Sequence, residues 1–409
     1  MRFLLVLLIL CAAITSFART IEAGPPGIGL SLSDAIANSH DGDTIFILPG
    51  VYKEGNVIID KRICLLGLEY PELDGEFRYE ILSIKRDSVI IEGLKLSNSG
   101  NSSTIDYAAI KVYDSNYVVL KKNHVVNAFF GIYLQYARNC KIIDNEISSK
   151  GVRASQCGNG IHCWKCDSLQ IIHNLVSNHR DGIYFEFVTN SIIWRNESLR
   201  NLRYGLHFMF SNHDHYVANI FENNGAGVAV MFSNHVSMHA NYFADNWGDA
   251  AYGILLKEIS DGKVEGNYFE RNTTGIFMEG ASRIDMNKNV FANNGWGLKI
   301  QASCMDIVLK NNEFLGNSFD VGTNGSLALN TFVNNYWDKY EGYDLDRNGI
   351  GDISYRPVSL YSMIVEKNPS AMMLFRSLIT TVIDRTEKVV PSLIPENLVD
   401  NEPLMKRIL

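Results

Sequence analysis

One residue type recurs with a fixed step through the middle of the chain, and that step constrains the fold more than any other feature. Glycines stand at 131, 160, 182, 205, 227, 253, 275 and 297, separated by 29, 22, 23, 22, 26, 22 and 22 residues. Asparagines keep the same step at 123, 145, 174, 196, 219, 241, 267, 289 and 312. Insertions near Ser148–Gly158 and Trp247–Ala251 account for the two long intervals. Inside each unit, alternating apolar residues follow the glycine, then a polar turn, a second alternating run, and Asn-x-Phe or Asn-x-Val. A repeat of that length with period-two alternation means short strands rather than helices. The fixed leucine pattern of leucine-rich repeats is absent. Three strands and three turns per unit give an all-β, right-handed parallel β-helix of about 22 residues per coil, with coils stacked about 4.8 Å apart. Equivalent side chains then stand in columns, asparagine over asparagine and Phe, Ile or Val over one another in the interior.

Weaker coils precede the clear ones, from Thr44–Leu48 through Val57–Ile59, Ile63–Leu66 and Val89–Ile91 to Val118–Leu120. Ser33–Ala37 reads as a short helix covering the first coil and protecting its edge. Ahead of these, Arg2, an apolar run from Phe3 to Ile14 and Ser16-Phe17-Ala18 read as a secretory signal cleaved after Ala18. Leu10 stands before Cys11 where a lipoprotein signal wants a small residue. The expected organisation is a signal peptide over 1–18, the β-helix over 19–338, an acidic capping loop over 339–357 and a helical tail over 358–409. With 46% hydrophobic and 20% charged residues the chain is not a disordered one, and a net charge of −8 argues against a nucleic-acid partner.

Strand alternation separates core from surface. With Leu206, Phe208 and Phe210 inward, His207 and Met209 point outward. Carried from coil to coil, this puts His162, Trp164, Tyr184, Glu186, His207, Met209 and Met231 on one exposed face. Surface thioethers beside imidazoles and a tryptophan are unusual on an otherwise charged surface. Three explanations are open: a docking patch for another protein, a Cu(I) site on His207, Met209 and Met231, whose soft donors suit that ion, or an aromatic platform for sugars. His162 is a weaker copper candidate. So are His213 and His235, in equivalent turns, and His215 and His239, facing outward on a second sheet with Met238 on a core position; polar-loop histidines are commonly just solvated.

Cys163 and Cys166 form a half site with Cys157 nearby; alternation turns Cys163 inward, and a local disulfide is the ordinary explanation if Cys157 reaches either partner. Asp344, Asp346, Asn348 and Asp352 resemble the start of a calcium loop, with Gly349 at the turn, but Tyr355 occupies the position of the usual bidentate glutamate. A calcium-bound cap and a solvated acidic turn are the two readings. In the tail, Ser370 caps an expected helix whose stripe includes Met372, Phe375, Leu378 and Ile379, interrupted at Pro391 and Pro395. Such a stripe packs on the β-helix end, a membrane surface or a membrane protein, and partner docking is the preferred reading.

The stretch from Gly158 to Leu404 resembles the nitrous oxide reductase maturation family NosD. The resemblance is carried by His179-Arg-Asp-Gly-Ile-Tyr-Phe-Glu, Leu202-Arg-Tyr-Gly-Leu-His207, Asn224-Gly-Ala-Gly-Val-Ala-Val-Met231, Ala251-Tyr-Gly-Ile-Leu-Leu-Lys, Tyr336-Trp337 and Leu398-Val-Asp-Asn-Glu-Pro-Leu-Met405. From Pro49-Gly-Val-Tyr onward the chain is also similar to the carbohydrate-binding and sugar-hydrolase β-helix class. The NosD resemblance implies a periplasmic, non-enzymatic accessory protein, membrane-associated only through a partner. It implies work with an ABC transporter membrane subunit and its ATPase, a copper chaperone lipoprotein and nitrous oxide reductase, with copper held transiently. It also implies that the tail docks on the membrane subunit. Cys163 and Cys166 depart from the family pattern. The competing class is a polysaccharide-binding or polysaccharide-cleaving β-helix, but Glu186, Lys257 and Glu279 are scattered rather than paired in adjacent coils.

Overall fold

The computed structural model describes residues 18–408 except 103, 154, 249, 326–329 and 390–397. The expected signal peptide lies, but for Ala18, outside the described residues. From Thr20 to Trp337 the chain winds as a parallel β-helix of about 14 turns with about 23 residues per coil. One coil shows the pattern. Tyr204–Met209 joins a 12-stranded sheet, His215–Val217 a 14-stranded sheet and Ile220–Glu222 a 13-stranded sheet. All pairing within the three sheets is parallel, one coil on the next, as in Leu206↔Val228, Tyr216↔Met238 and Phe221↔Phe243.

The repeated residues do what their columns require. From Asn123 to Asn335, each side-chain amide donates to the Oδ1 of the next asparagine at 2.9–3.0 Å, and the same oxygen accepts a backbone N–H. Each of these asparagines is essentially buried, and each has its donors and acceptors met, so the polar column carries little desolvation penalty. Two residues on, Phe221, Phe243, Phe269, Phe291, Phe314 and Trp337 stack ring on ring with centroids 4.3–5.3 Å apart. A second ladder runs five residues after the first, through Asn201, Asn224, Asn246, Asn272, Asn294 and Asn317. It starts at His179, whose backbone N–H donates to Asn201 Oδ1 at 3.1 Å.

The N-terminal end is covered as expected by a helix, α1 (Leu32–Asn38), capped by Ser31 and burying Leu32, Ala35 and Ile36. At the other end the tail differs from expectation. Within the expected helical tail a first helix, α2 (Leu360–Lys367), precedes the stretch from Ser370 and is followed by a 3-10 turn over Pro369–Leu374 and by α3 (Leu378–Val389). The single helix expected from Ser370 is therefore broken, and Ser370 sits inside the turn. The break has a cause: Phe375 leaves helical geometry (ψ 131°), and its ring packs toward Phe319 and Tyr361, while Arg376 takes φ +60°. Nor does the tail stay helical to its end. Asp400 bridges Phe332 and Tyr355, Leu404 bridges Tyr336, and Arg407 pairs with the buried Glu313 at 2.8 Å, which adds a partial coil below the last one.

Candidate functional site

The outer surface of the 12-stranded sheet carries three files of side chains. Two of them follow from alternation. Strand register sets Lys111, Tyr133, His162, Tyr184, His207, Ala229, Leu255, Phe277 and Lys299 in one file. Gln135, Trp164, Glu186, Met209, Met231, Lys257 and Glu279 form the other. All seven residues assigned to this face are on it, and Met209 and Met231 are direct neighbours across adjacent strands.

Exposure differs from expectation. His207 is only 4% exposed, closed over by Tyr184 and Tyr204, whose rings lie 5.0 and 4.8 Å from its own. The third file explains this. Residues just before each glycine also face outward, because the chain turns a corner at the glycine and register passes from Tyr204↔Ala226 directly to Leu206↔Val228. Tyr204 and His207 thus meet although they are three residues apart, which strict alternation puts on opposite faces. Asp181 occupies the equivalent place one coil earlier. It is fully buried, with Oδ2 3.7 Å from His207 Nδ1 and from Arg180 Nε, and Oδ1 3.6 Å from Arg203 Nε. Neither ring nitrogen of His207 has a protein hydrogen-bond partner. Sequence reasoning missed Asp181, Arg180, Arg203 and Tyr204; their position beside the recurrent glycine was the available signal.

Around this centre, Tyr184 O–H donates to Met209 Sδ at 3.6 Å and reaches Glu186 Oε2 at 3.3 Å. His162 packs between Tyr133 and Tyr184 at 4.3 and 4.8 Å, with Nδ1 2.9 Å from Asn159 Nδ2. Burial pulls the His162 pKa down to about 3, so its ring is neutral at ordinary pH. At the sheet margin Phe187, Phe210 and Phe232 form an exposed stack with centroids 5.2 Å apart. Phe210 was expected in the core. Its φ of +50° turns it out, as +54° and +52° turn out its neighbours.

The other candidates stand elsewhere. His213 and His235 stack at 4.7 Å in exposed turns. His215 and His239 lie on the 14-stranded sheet in different columns, His215 beside Ser237 and His239 beside Val217, and His239 pairs with Glu265 at 3.6 Å. None of these four joins His207 and the methionines on the 12-stranded sheet. The six cysteines among the described residues are free; Cys163 is sealed in the core, and burial pushes the Cys166 thiol up to about 12. No local disulfide forms with Cys157. In the acidic loop, Asp344 accepts the N–H groups of Asn348 and Gly349, Asp346 accepts that of Asn348, and Asp352 accepts that of Leu345. These carboxylates are turned onto the loop's own backbone, and the calcium reading gains no support from their geometry. No group of three or more His, Cys, Asp or Glu side chains able to hold a metal occurs among the described residues.

The tail closes the far end of the same face. Glu366 of α2 pairs with Lys299, in the His207 file, at 2.6 Å. Tyr361 and Val365 cover Trp296 and Phe319. Phe375 joins that cluster, so it is not a free docking residue as expected. Leu378 and Ile379 are 83% and 53% exposed, and Met372 and Val382 are exposed as well.

The sequence profile of the family described as periplasmic copper-binding protein (NosD) matches residues 143–343. A probable ABC transporter binding protein NosD of Pseudomonas aeruginosa is 28% identical over 392 residues, covering 91% of each chain. Its namesake in Stutzerimonas stutzeri is 26% identical over 410 residues, covering 95% of this chain and 92% of that one. Among solved structures, the A-module of a mannuronan C-5 epimerase from Azotobacter vinelandii superposes with a TM-score of 0.56 at 15% identity, over 74% of this chain and 87% of that one. The catalytic unit of an alpha-1,3-glucanase from Streptomyces thermodiastaticus superposes with a TM-score of 0.60 at 11% identity, over 76% and 65%. At such identities these two share the fold alone. With its profile match spanning the coils that carry the histidine and methionine face, the chain is similar in sequence to NosD proteins and has a β-helix fold.

Proposed function

We propose that this chain is a periplasmic accessory protein for assembly of the copper centres of nitrous oxide reductase, carrying Cu(I) as cargo rather than as a resident cofactor. The observation that carries the reading is the register of Met209 with Met231, one coil apart, beside His207. Two thioethers and an imidazole are soft donors matched to Cu(I). His207 keeps both nitrogens buried and unpartnered, and unpaired buried polar atoms cost roughly 1–3 kcal/mol each, a cost that a bound ion relieves. His162 is held neutral in the same file but is packed between tyrosines, which makes it a neighbour of the cargo rather than a ligand.

The protein acts without chemistry on a substrate, as a docking scaffold and relay. A copper chaperone lipoprotein and the reductase approach the face bordered by Trp164 and the Phe187–Phe210–Phe232 stack. The apolar surface of Leu378, Ile379 and Met372 docks on the membrane subunit of an ABC transporter, served by its ATPase. The names of the matched family and relatives support the periplasmic, copper-binding and transporter-linked parts of this reading.

A polysaccharide ligand is the alternative favoured by the fold of the epimerase and the glucanase. The exposed phenylalanines argue against it: stacked at interplanar angles of 10° and 16°, they turn four of their six ring faces against one another, whereas a sugar platform presents its ring faces outward. The test is a Cu(I) competition titration of the full chain against a His207→Ala/Met209→Leu/Met231→Leu variant. At least a tenfold weaker affinity in the variant is expected. Equal affinity eliminates this site, and depolymerisation of a glycan by the purified chain overturns the non-enzymatic reading.

A further inference from the structure

Four unpartnered polar atoms of the protein gather in one place: both ring nitrogens of His207, Arg180 Nε and Asp181 Oδ2, and both ring nitrogens of His179, two residues before Asp181 in the chain, are unpartnered as well. Such atoms are rare in folded proteins, and a cluster of them calls for an explanation. Asp181 is the centre. Its carboxylate is fully buried, yet none of its ion-pair contacts, to Arg180, Arg203 and His207, is closer than 3.6 Å. The two guanidiniums are tied elsewhere as well. Arg180 Nη2 donates to Asn159 Oδ1 at 3.1 Å, and the Arg203 guanidinium lies 5.0 Å over the Tyr204 ring. The backbone beside Asp181 is closely packed: a side chain on Gly182 would overlap Ser198 Oγ and the carbonyl of Gly205.

This geometry points the carboxylate at one atom of the imidazole. Asp181 Oδ2 faces His207 Nδ1, not Nε2, and both atoms lack a closer partner. We propose that Asp181 is a positioning residue for His207: its carboxylate attracts the N–H of Nδ1, which keeps the ring proton on that nitrogen and leaves the lone pair of Nε2 for a soft cation held with the thioethers of Met209 and Met231. This rests on the copper reading above and adds to it the residue that orients the imidazole. A carboxylate behind a metal-binding histidine selects the tautomer and ring angle, and its removal commonly costs 10–100-fold in affinity. Arg180 and Arg203 balance the buried carboxylate and, being cationic, disfavour a metal ion on Asp181 itself, which places the carboxylate behind the imidazole instead of among the ligands.

The test has two readouts on the full chain. In histidine-15N-labelled protein at pH 7.5, with His207 assigned by comparison with His207→Asn, the ring proton is expected on Nδ1. A proton on Nε2 overturns the proposal, whether or not copper binds. In Cu(I) competition, Asp181→Asn is expected to weaken binding about tenfold, because an amide can turn its NH2 toward Nδ1 and favour the other tautomer, and to add nothing in the His207→Ala background. Unchanged affinity in Asp181→Asn, or the same tenfold loss without His207, also overturns it. If the wild-type chain takes no Cu(I), the copper reading fails on its own, and the tautomer in the unsubstituted protein still decides the role of Asp181.

Discussion

Asp400 completes a column that the chain left 65 residues earlier: its Oδ2 accepts from both the backbone N–H and the side-chain amide of Asn335, each at 3.0 Å. The same oxygen accepts Trp337 Nε1–H at 3.1 Å, so one buried atom ends the asparagine ladder and the aromatic stack together. Replacing it by alanine strands three buried donors. Asp400→Ala is expected to cost about 3 kcal/mol, counting roughly 1 kcal/mol or more per stranded donor. In a solenoid each coil rests mainly on its neighbours, so the loss is local first. Amide hydrogen exchange is the measurement: Thr331–Trp337 should lose protection while the central coils keep theirs. Uniform loss across the chain would contradict the terminal-cap role.

His179 marks the opposite end of the second ladder, and its burial has an acid signature. The ring is fully buried, and burial pulls its pKa down to about 4. An imidazole with a depressed folded pKa binds fewer protons than its unfolded counterpart. Its effect is nil above the unfolded value near 6.5, and stability falls as pH drops from there toward 4, by at most about 1.4 kcal/mol per pH unit. Asp214, pushed by burial up to about 8, works in the other sense, its contribution being lost as pH rises from 3.8 toward 8. A difference between variants separates the two. His179→Asn places an asparagine where the next six coils have one, with Asn201 Oδ1 ready to accept its amide. It should raise stability by about 1–2 kcal/mol at pH 7 and flatten the acid limb between pH 6.5 and 4. Urea unfolding at both pH values checks it; an unchanged slope means that His179 does not titrate on unfolding.

What the sequence made legible was what repeats. Gly205 and Asn219 recur at one interval, so the coil, the asparagine column and the pairing of Met209 with Met231 all follow from counting. The second ladder is equally countable, since Asn201 follows Asn196 and Asn224 follows Asn219 by five. Other features were hidden for a physical reason. Alternation holds only while the strand is extended, and the corner at Gly205 brings Tyr204 out beside His207, so the seal over the imidazole and the carboxylate behind it could not be reached by parity. Phe210 fails the same rule at the other end of the strand, where a left-handed residue ends the alternation. The return of Asp400 depends on closing a long loop, and no local pattern records such a contact.

Phe187, Phe210 and Phe232 hold left-handed backbone angles that cost a bulky L-residue about 1 kcal/mol or more, and that asparagine tolerates. Ring stacking returns a similar amount. The triple Phe→Asn variant is therefore expected to unfold within about 1 kcal/mol of wild type, even though three aromatic side chains are lost. If the stack is the margin of a docking face, the same variant should bind the reductase or the copper chaperone at least tenfold more weakly. Calorimetry of each pair gives the affinity, and chemical denaturation gives the stability. A large loss of stability with unchanged binding would assign the stack to the fold instead.

The tail separates its two sides by exposure, and the separation can be measured. Ile383 and Phe375 pack toward the solenoid, whereas Leu378, Ile379 and Val382 face away from it. No helix among the described residues is long and apolar enough to cross a membrane, so an outward apolar patch on α3 needs another cover. Changing Leu378, Ile379 and Val382 together to serine removes exposed apolar surface and no packing, and should leave the unfolding midpoint within about 0.5 kcal/mol per site of wild type. Co-purification with the transporter membrane subunit from detergent-solubilised membranes should fall at least tenfold. Phe375→Ala is the control for the inner side: it opens the Trp296, Phe319 and Tyr361 cluster and should destabilise the tail by about 3 kcal/mol. Retention of the membrane subunit by the serine variant would remove α3 from the docking surface, whatever the copper titrations give.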